Sequence, residues 1–215
     1  MDIKYLGHSA FLLKGKSDSV VMDPFDKSTG LKFPNLEAGI VTVSHDHHDH
    51  NAASQIQGNP LIINIPGEYE KNGIRITGYG VYHDDKRGEE RGKNTLFKVE
   101  IDGVSILHCG DLGHTLFEEL TEEINEIDVL MIPVGGFYTI DSKTAYTVIK
   151  SIEPSVVIPM HYRTEKHDPS FSSVAPLSDF LKQMEISNVE PVKKLTLKPG
   201  DFGEEMKVVV MEVSA

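Results

Sequence analysis

The chain has 215 residues, of which 39% are hydrophobic and 25% charged, a composition typical of a folded globular protein with one full-sized core. Its formal net charge of −12, without a basic run, argues against a nucleic-acid partner, because such binding depends on Lys and Arg neutralising phosphates. No apolar run approaches the roughly 20 residues that span a bilayer, and the N-terminal stretch has no apolar signal segment. We therefore expect one cytoplasmic domain, residues 1–215, with no membrane partner. The single cysteine, Cys109, excludes an internal disulfide.

Short strands outnumber helices among the predicted elements. Apolar and β-branched runs predict strands at 3–6, 10–14, 19–22, 39–43, 61–65, 74–77, 95–101, 104–108, 129–133 and 156–159. Helices are predicted at 115–124, 142–152 and 176–184, the second of them between a cap at Asp141 and Pro154. The charged, glycine-containing segment 84–94 predicts an exposed loop.

Two stretches of the chain share a plan. SAFLLKGKSDSVVMDPF, residues 9–25, and TLFKVEIDGVSILHCGD, residues 95–111, each contain a strand, a polar turn, a second strand and a following aspartate. A further strand and a helix are predicted after each stretch. This repetition predicts an α/β (α+β) protein in which two similar β-rich halves pack face to face, with helices outside.

The densest chemistry lies in SHDHHDH, residues 44–50, directly after a predicted buried strand. Four histidines and two aspartates fill six consecutive positions. In an extended segment alternate side chains point the same way, so His45 and His47 are expected to converge on one point while Asp49 and His50 face another. Neutral imidazole and carboxylate are ligands for zinc and other first-row divalent ions. The stretch therefore predicts ligands for two metal ions rather than a solvated loop or a helix cap.

Further ligands must come from elsewhere, because zinc sites need at least three protein ligands per ion. His83, Asp111 and His161 each follow a predicted buried strand, as His45 does. If these strands run side by side, their carboxyl ends meet at one edge of the sheets. The shared position predicts that all four side chains lie together.

These residues resemble the motifs of the metallo-β-lactamase superfamily. HDHHDH matches its HxHxDH motif, and Asp23 in VVMDPF resembles its first-motif aspartate. His83, Asp111 in HCGDLGH and His161 in VIPMHY match the later motifs in order and approximate spacing. The stretches KYLGHSAF, IPGEYEKNGI and IPVGGFYTID resemble a small prokaryotic branch of Zn-dependent hydrolases, similar to ascorbate-6-phosphate lactonases. The resemblance implies a four-layer αβ/βα sandwich, with two β-sheets flanked by helices.

The resemblance also implies two sets of metal ligands. One ion would be held by His45, His47 and His83, and the other by Asp49, His50 and His161. Asp111 would bridge them and, with Asp49, serve the catalytic step, in which a metal-bound hydroxide attacks the substrate. Asp23 would hold the HDHHDH loop through hydrogen bonds. The expected cofactors are two divalent ions per chain, zinc first, with manganese or iron as alternatives.

Other candidates carry weaker signals. His8 at the end of the first strand, and Tyr138 after a glycine-rich turn, are candidates for substrate contact. Arg163, two residues after His161, is a candidate partner for a substrate phosphate or carboxylate. Alternation along HDHHDH points Asp46 and His48 away from the ligands, although Asp46 is a candidate proton shuttle.

The function expected from these residues is hydrolysis of a small ester-like bond in a lactone, phosphodiester or related substrate. The expected substrate is a small molecule, and it is an anion if Arg163 binds it. An RNA-processing nuclease is the first alternative, which the acidic charge balance disfavours. A non-catalytic metal-dependent binding or sensing module, and a di-iron redox enzyme, are the others.

Overall fold

The computed structural model describes residues 1–203 and 205–214, which form thirteen strands and three α-helices. The strands are β1 Asp2–Gly7, β2 Ala10–Lys14, β3 Ser19–Met22, β4 Ile40–Thr42, β5 Leu61–Ile63, β6 Gly67–Lys71, β7 Ile74–Tyr82, β8 Lys93–Ile101, β9 Val104–His108, β10 Val129–Pro133, β11 Val156–Met160, β12 Leu195–Thr196 and β13 Lys207–Val208. The helices are α1 Glu118–Ile124, α2 Ser142–Ile152 and α3 Leu177–Gln183. Short 3₁₀ turns span Lys27–Thr29, Ala53–Gln55 and Pro169–Ser173.

The strands form two mixed sheets with the same plan. The first has the order β12-β1-β2-β3-β4-β5 and the second β13-β11-β10-β9-β8-β7-β6. In the first, β2 and β3 form an antiparallel hairpin, and β4 and β5 then add in parallel. In the second, β8 and β9 form the hairpin, and β10 and β11 add in parallel. The two halves predicted from the repeated sequence plan are therefore present, and the predicted α/β sandwich class is confirmed.

At its centre, in β3 and β4, the first sheet is buried on both faces. Val20 and Met22 of β3 lie in a core cluster shared with the second sheet, while Val21 points to the opposite face. That outer face packs against loop residues from 25–38 and 53–56. Since successive side chains of a strand alternate between faces, a strand buried on both faces needs a nearly continuous apolar sequence. A shared core suits a single domain, although the boundaries 1–215 stay a prediction.

All three α-helices of the described residues follow β9. In α2, the side chain of Asp141 accepts a hydrogen bond from the N–H of Thr144, as the predicted cap requires. The helix predicted for the first half is wrong, because only 3₁₀ turns lie between β3 and β5. Pro24, Pro34 and Pro60 interrupt these connections, and proline inside a helix removes a hydrogen bond and clashes with the preceding turn.

Three of the observed strands, β6, β12 and β13, were not predicted. β6 is a polar edge strand between two glycine-containing turns, so its sequence GEYEK indicated a turn. β12 and β13 have two residues each, too few for a periodic pattern. β7 is also longer than predicted and ends at Tyr82, directly before His83.

The longest helix, α2, has 11 residues. Within the described ranges, no helix combines the length and apolar character needed to cross a membrane.

Candidate metal centre

The strand ends of the two sheets meet at one edge of the sandwich. The N–H of His161 donates to the carbonyl of His8 at 2.9 Å, and that of Thr95 to the carbonyl of Ser44 at 2.9 Å, so backbone bonds join the sheets there. The polar side chains that follow β4, β7, β9 and β11 point into this edge. The strands do not run side by side as expected, since β4 lies in the first sheet and β8 and β10 separate the other three in the second, but their carboxyl ends do meet at this edge.

One group of imidazoles gathers around His45. The candidate ligand atoms of His45, His47 and His83 all lie within 4.8 Å of one another. His45 Nε2 is 2.9 Å from His47 Nδ1. His45 and His83 are buried, whereas His47 is exposed and faces the cavity described below.

A second group contains one residue more than expected. His8, Asp49, His50 and His161 also place candidate ligand atoms within 4.8 Å of one another. His8 Nε2 lies 3.1 Å from Asp49 Oδ2. His8 and His161 adopt left-handed backbone conformations, with φ of 55° and 51°. Strained conformations of this kind cluster at functional sites, and here they turn both side chains toward the group.

Asp111 lies between the two groups. Its Oδ2 is 3.2 Å from His83 Nε2 and 3.2 Å from His161 Nε2, and its Oδ1 is 3.2 Å from His50 Nε2. The N–H of Asp111 donates to Asn94 Oδ1 at 3.1 Å, which holds the backbone in place. The carboxylate thus contacts imidazoles of both groups.

Asp23 supports the HDHHDH loop from behind. Its Oδ1 accepts from the N–H of Ser44 at 2.8 Å, and its Oδ2 accepts from Ser44 Oγ at 2.6 Å. The same Oδ2 is 2.8 Å from His50 Nδ1. Because an ionised carboxylate only accepts hydrogen bonds, His50 Nδ1 carries a proton, and Nε2, which faces Asp111, is the atom left to bind a metal.

The same logic fixes the tautomer of His45. The hydroxyl of Ser44 has one proton, which it donates to Asp23. Ser44 Oγ must then accept a hydrogen bond from the protonated His45 Nδ1, which lies 2.9 Å away. His45 Nε2 is left unprotonated and faces His47 and Asp111. The Asp23–Ser44 pair therefore prepares two imidazoles as ligands.

Electrostatics at the cluster favour a cation. Burial opposes a proton on His50, but Asp111 and then Asp49 raise its pKa well above the ordinary value. Burial likewise opposes charge on Asp111, but His161 and then His50 hold its pKa well below the usual range. Burial and the neighbouring His50 lower the pKa of His45 to about 3, so that this imidazole is neutral at pH 7. Carboxylates that attract a proton to His50 attract a divalent cation for the same reason.

The donor set fits a metal. Among the residues that the structure describes, the buried atoms His50 Nε2, His161 Nε2 and Asp111 Oδ1 have no hydrogen-bond partner. His50 Nε2 and Asp111 Oδ1 approach to 3.2 Å, but without hydrogen-bond geometry. Leaving such groups unsatisfied is costly, and a cation among them would satisfy all three. Imidazole and carboxylate suit zinc, manganese and iron.

Comparison with known proteins agrees with this geometry. The family model described as the beta-lactamase superfamily domain matches residues 2–161. A protein from Thermotoga maritima, assigned to the metallo-β-lactamase superfamily as a Zn-dependent hydrolase, is 40% identical, covers 99% of both chains and superposes with a TM-score of 0.82. The chain belongs to the metallo-β-lactamase superfamily.

Further relatives extend this result. A metal-dependent hydrolase from Archaeoglobus fulgidus is 30% identical over 238 aligned positions, which cover 95% of this chain and 99% of the relative. An isothiocyanate hydrolase from Delia radicum gut bacteria shares the fold with a TM-score of 0.70, at 12% identity over 92% of this chain and 99% of the other. This superfamily member is a metal-dependent hydrolase by class, as the sequence predicted.

The seven ligands that the superfamily resemblance implied all lie in the cluster. His8, a candidate for substrate contact from the sequence, lies in the second group of possible metal ligands. Tyr138 lines a cavity of about 500 Å³ at the cluster, the metal-cluster cavity, whose wall also includes His47, Asp49, His83 and Asp111. Arg163, in contrast, is exposed, is not among the residues that line this cavity, and its N–H donates to the carbonyl of Ala175.

Three supporting residues escaped the sequence analysis. Ser44 lies beside the recognised histidines but was not assigned a role. Asn94 is buried, donates to the carbonyl of Cys109 at 2.8 Å and accepts from Asp111. Arg91 lines the metal-cluster cavity, although its segment was predicted to be an exposed loop. The position of Asn94 directly after a charged run gave no signal, since only the tertiary fold brings it beside Asp111.

Gly113 lets the loop that follows β9 lie close to the backbone of His83 and Asp84 after β7. A Cβ at this position would overlap the backbone of His83 and Asp84. We expect Gly113→Ala to lower the free energy of unfolding by about 1–3 kcal/mol, because overpacking forces backbone shifts. The shift would separate His83 from Asp111 and weaken metal binding. Urea denaturation and zinc titration measure both effects. Gly203→Ala, where a Cβ has no neighbour within 4 Å, is the control, and equal behaviour of the two variants would contradict the prediction.

Proposed function

We propose that the chain is a binuclear metal-dependent hydrolase that cleaves a small ester-like bond, such as a lactone or phosphodiester. The observation that supports this most strongly is the position of Asp111, whose carboxylate reaches His83, His161 and His50 at 3.2 Å each. A carboxylate shared by two groups of imidazoles is suited to bridge two ions. In this proposal His45, His47 and His83 hold one ion, and Asp49, His50 and His161 the other, with His8 behind Asp49.

Zinc is the metal we expect first, since a set rich in imidazole with carboxylate and no thiolate is common in catalytic zinc sites. Divalent ions in such a site lower the pKa of water and polarise the scissile carbonyl or phosphoryl oxygen when they are bound.

The protein's own residues orient and protect this chemistry. Asp23 and Ser44 keep a proton on Nδ1 of His50 and of His45, so that Nε2 of each ring is the atom that can bind a metal. Burial opposes charge on Asp49, but His50 and then His8 lower its pKa, so the carboxylate stays ionised. Its side chain is 21% exposed and lines the cavity. The cavity opens on the ligand cluster, which favours an enzyme over a structural metal site sealed by protein.

Metal stoichiometry tests the proposal directly. We expect two ions per chain by elemental analysis of zinc-loaded protein, and hydrolysis of lactone or phosphodiester probes by that protein. His47→Ala should lose at least one ion because His47 belongs to the first group. His48→Ala is the matched control, since His48 is exposed and belongs to neither group. One ion or none in the unaltered protein, or equal metal content in the two variants, would contradict the binuclear assignment.

A further inference from the structure

The charged loop between β7 and β8 is organised by one buried carboxylate. Asp84 is only 4% exposed, and its Oδ1 accepts the N–H groups of Lys86 and Gly88, each at 2.8 Å. Its Oδ2 accepts those of Glu90 at 3.0 Å and Arg91 at 2.8 Å. Burial would raise the pKa of Asp84, but these donors, that of Arg91 first, lower it to about 2. A sequence that reads as a solvated charge run is thus held in one conformation.

This loop places Arg91 where two cavities meet. Arg91 lines the metal-cluster cavity and also an outer cavity of about 640 Å³, whose wall includes Tyr82, Phe117 and Phe137. Its guanidinium carbon lies 5.9 Å from the ring centroid of Tyr138, which lines both cavities. This is a cation–π contact at long range, and it favours orientations in which the guanidinium lies over the ring.

The charge of Arg91 is available to a ligand. In the described part of the chain its one ion pair is with the exposed Glu90, at 3.5 Å, and such pairs contribute little. Among the described residues it is the only lysine or arginine that lines the metal-cluster cavity. The same wall carries the carboxylates of Asp46, Asp49 and Asp111. Two divalent ions would outweigh these three carboxylates, so that the ions and Arg91 would attract an anion together.

We propose that Arg91 binds an anionic group, a carboxylate or a phosphate, next to the scissile bond of the substrate, and that Asp84 positions Arg91 by organising its loop. This inference rests on the proposed hydrolase function and names its substrate class. It replaces Arg163, which lies away from the cavity, with Arg91 as the residue that recognises the anion. Arg91 presents a planar fork of donors, which matches either group.

Matched esters test the inference. The zinc-loaded protein would be assayed with p-nitrophenyl acetate, which is neutral, and with mono-p-nitrophenyl succinate, which carries a carboxylate. We expect Arg91→Ala to lower the ratio of kcat/KM for the charged ester to that for the neutral ester by about 10- to 100-fold, the loss for a charged hydrogen bond. Arg91→Lys should keep part of the preference, and Asp84→Asn should lose it with unchanged zinc content.

Lys86→Ala is the matched control. It removes one positive charge from the same loop, and Lys86 pairs with Glu90 and is not among the residues lining either cavity. The ratio should stay within about twofold of the unaltered protein, since the surface pair is screened. An Arg91→Ala variant that keeps the ratio, or a Lys86→Ala variant that loses it equally, would overturn the proposal.

A binding measurement separates this inference from the hydrolase proposal. If the zinc-loaded protein cleaves neither ester, the hydrolase proposal loses support, but Tm shifts with inorganic phosphate and with succinate still report on Arg91. We expect at least one anion to raise Tm for the unaltered protein and for Lys86→Ala, and much less for Arg91→Ala; comparing the anions distinguishes phosphate from carboxylate. No shift in the unaltered protein, or equal shifts in all three, would overturn the inference.

Discussion

Asp111→Ala is expected to lower kcat/KM for ester hydrolysis by on the order of 10³-fold, and to lower the metal content below that of the unaltered protein. Even partners that only orient a ligand cost about 10–100-fold when removed, and Asp111 contacts three candidate ligands itself. Its loss would also remove the main carboxylate that raises the pKa of His50 and attracts a cation there. Steady-state kinetics and elemental analysis on the same preparation measure both effects.

Two further variants make this result interpretable. Asp111→Asn keeps the shape and one acceptor oxygen but removes the charge, so we expect it to resemble the alanine variant in activity. Asp46→Ala removes an exposed carboxylate from the wall of the same cavity. Asp46 accepts a hydrogen bond from Asn51 Nδ2 and belongs to neither ligand group. It should keep the full metal content. An Asp111→Ala protein with both ions and full activity would refute the bridging role.

The parts of the fold that the sequence predicts well are those in which one local pattern has one structural solution. β2, β3, β9, β10 and α2 begin and end at the predicted residues. The hairpin around Asp102–Gly103 is an example, because Asp-Gly between alternating runs strongly favours a tight turn. The position of His83 was also predictable, since it follows an apolar run in the order that the superfamily motifs require.

What the sequence could not predict depends on contacts between distant segments. The segment 84–94 has the composition of a solvated loop, but the Asp84 side chain accepts hydrogen bonds from four of its backbone N–H groups and so holds it in one conformation. Neither the hydrophobic periodicity nor the motif spacing of a sequence reveals a side chain that accepts hydrogen bonds from four backbone N–H groups. The same limit explains why the sequence indicated Arg163, two residues after His161, and gave no signal for Arg91, which only the fold brings to the cavity.

The Asp23–Ser44 pair leads to the second large effect. Asp23 is fully buried and has a φ of 44°, a left-handed conformation that asparagine tolerates and alanine does not. Asp23→Asn therefore changes the hydrogen bonds with little backbone strain. The new amide NH₂ would face His50 Nδ1 and Ser44 Oγ, which both donate to Asp23 in the present structure. The amide NH₂ and the two groups that it faces would then all be hydrogen-bond donors, with no acceptor between them.

Relief of this conflict requires that His50 carry no proton on Nδ1 and one on Nε2, the atom that faces Asp111. A protonated Nε2 cannot bind a metal, so we expect Asp23→Asn to lower zinc affinity by about 10–100-fold. The free energy of unfolding of the metal-free protein should fall by about 1–3 kcal/mol, the cost of an unsatisfied buried donor. Zinc competition titration and urea denaturation measure the two effects.

The control and the alanine variant separate charge from geometry. Asp26→Asn makes the same change at a partly exposed aspartate whose side chain accepts a hydrogen bond from the N–H of Ser28. Asparagine caps equally well there, so neither the zinc affinity nor the free energy of unfolding should change. Asp23→Ala adds backbone strain and leaves three donors without a partner, and should destabilise the protein by about 3–5 kcal/mol. If Asp23→Asn bound zinc as tightly as Asp26→Asn, the tautomer of His50 would not depend on Asp23. The ligand geometry would then have to come from Asp111 and the strand ends alone.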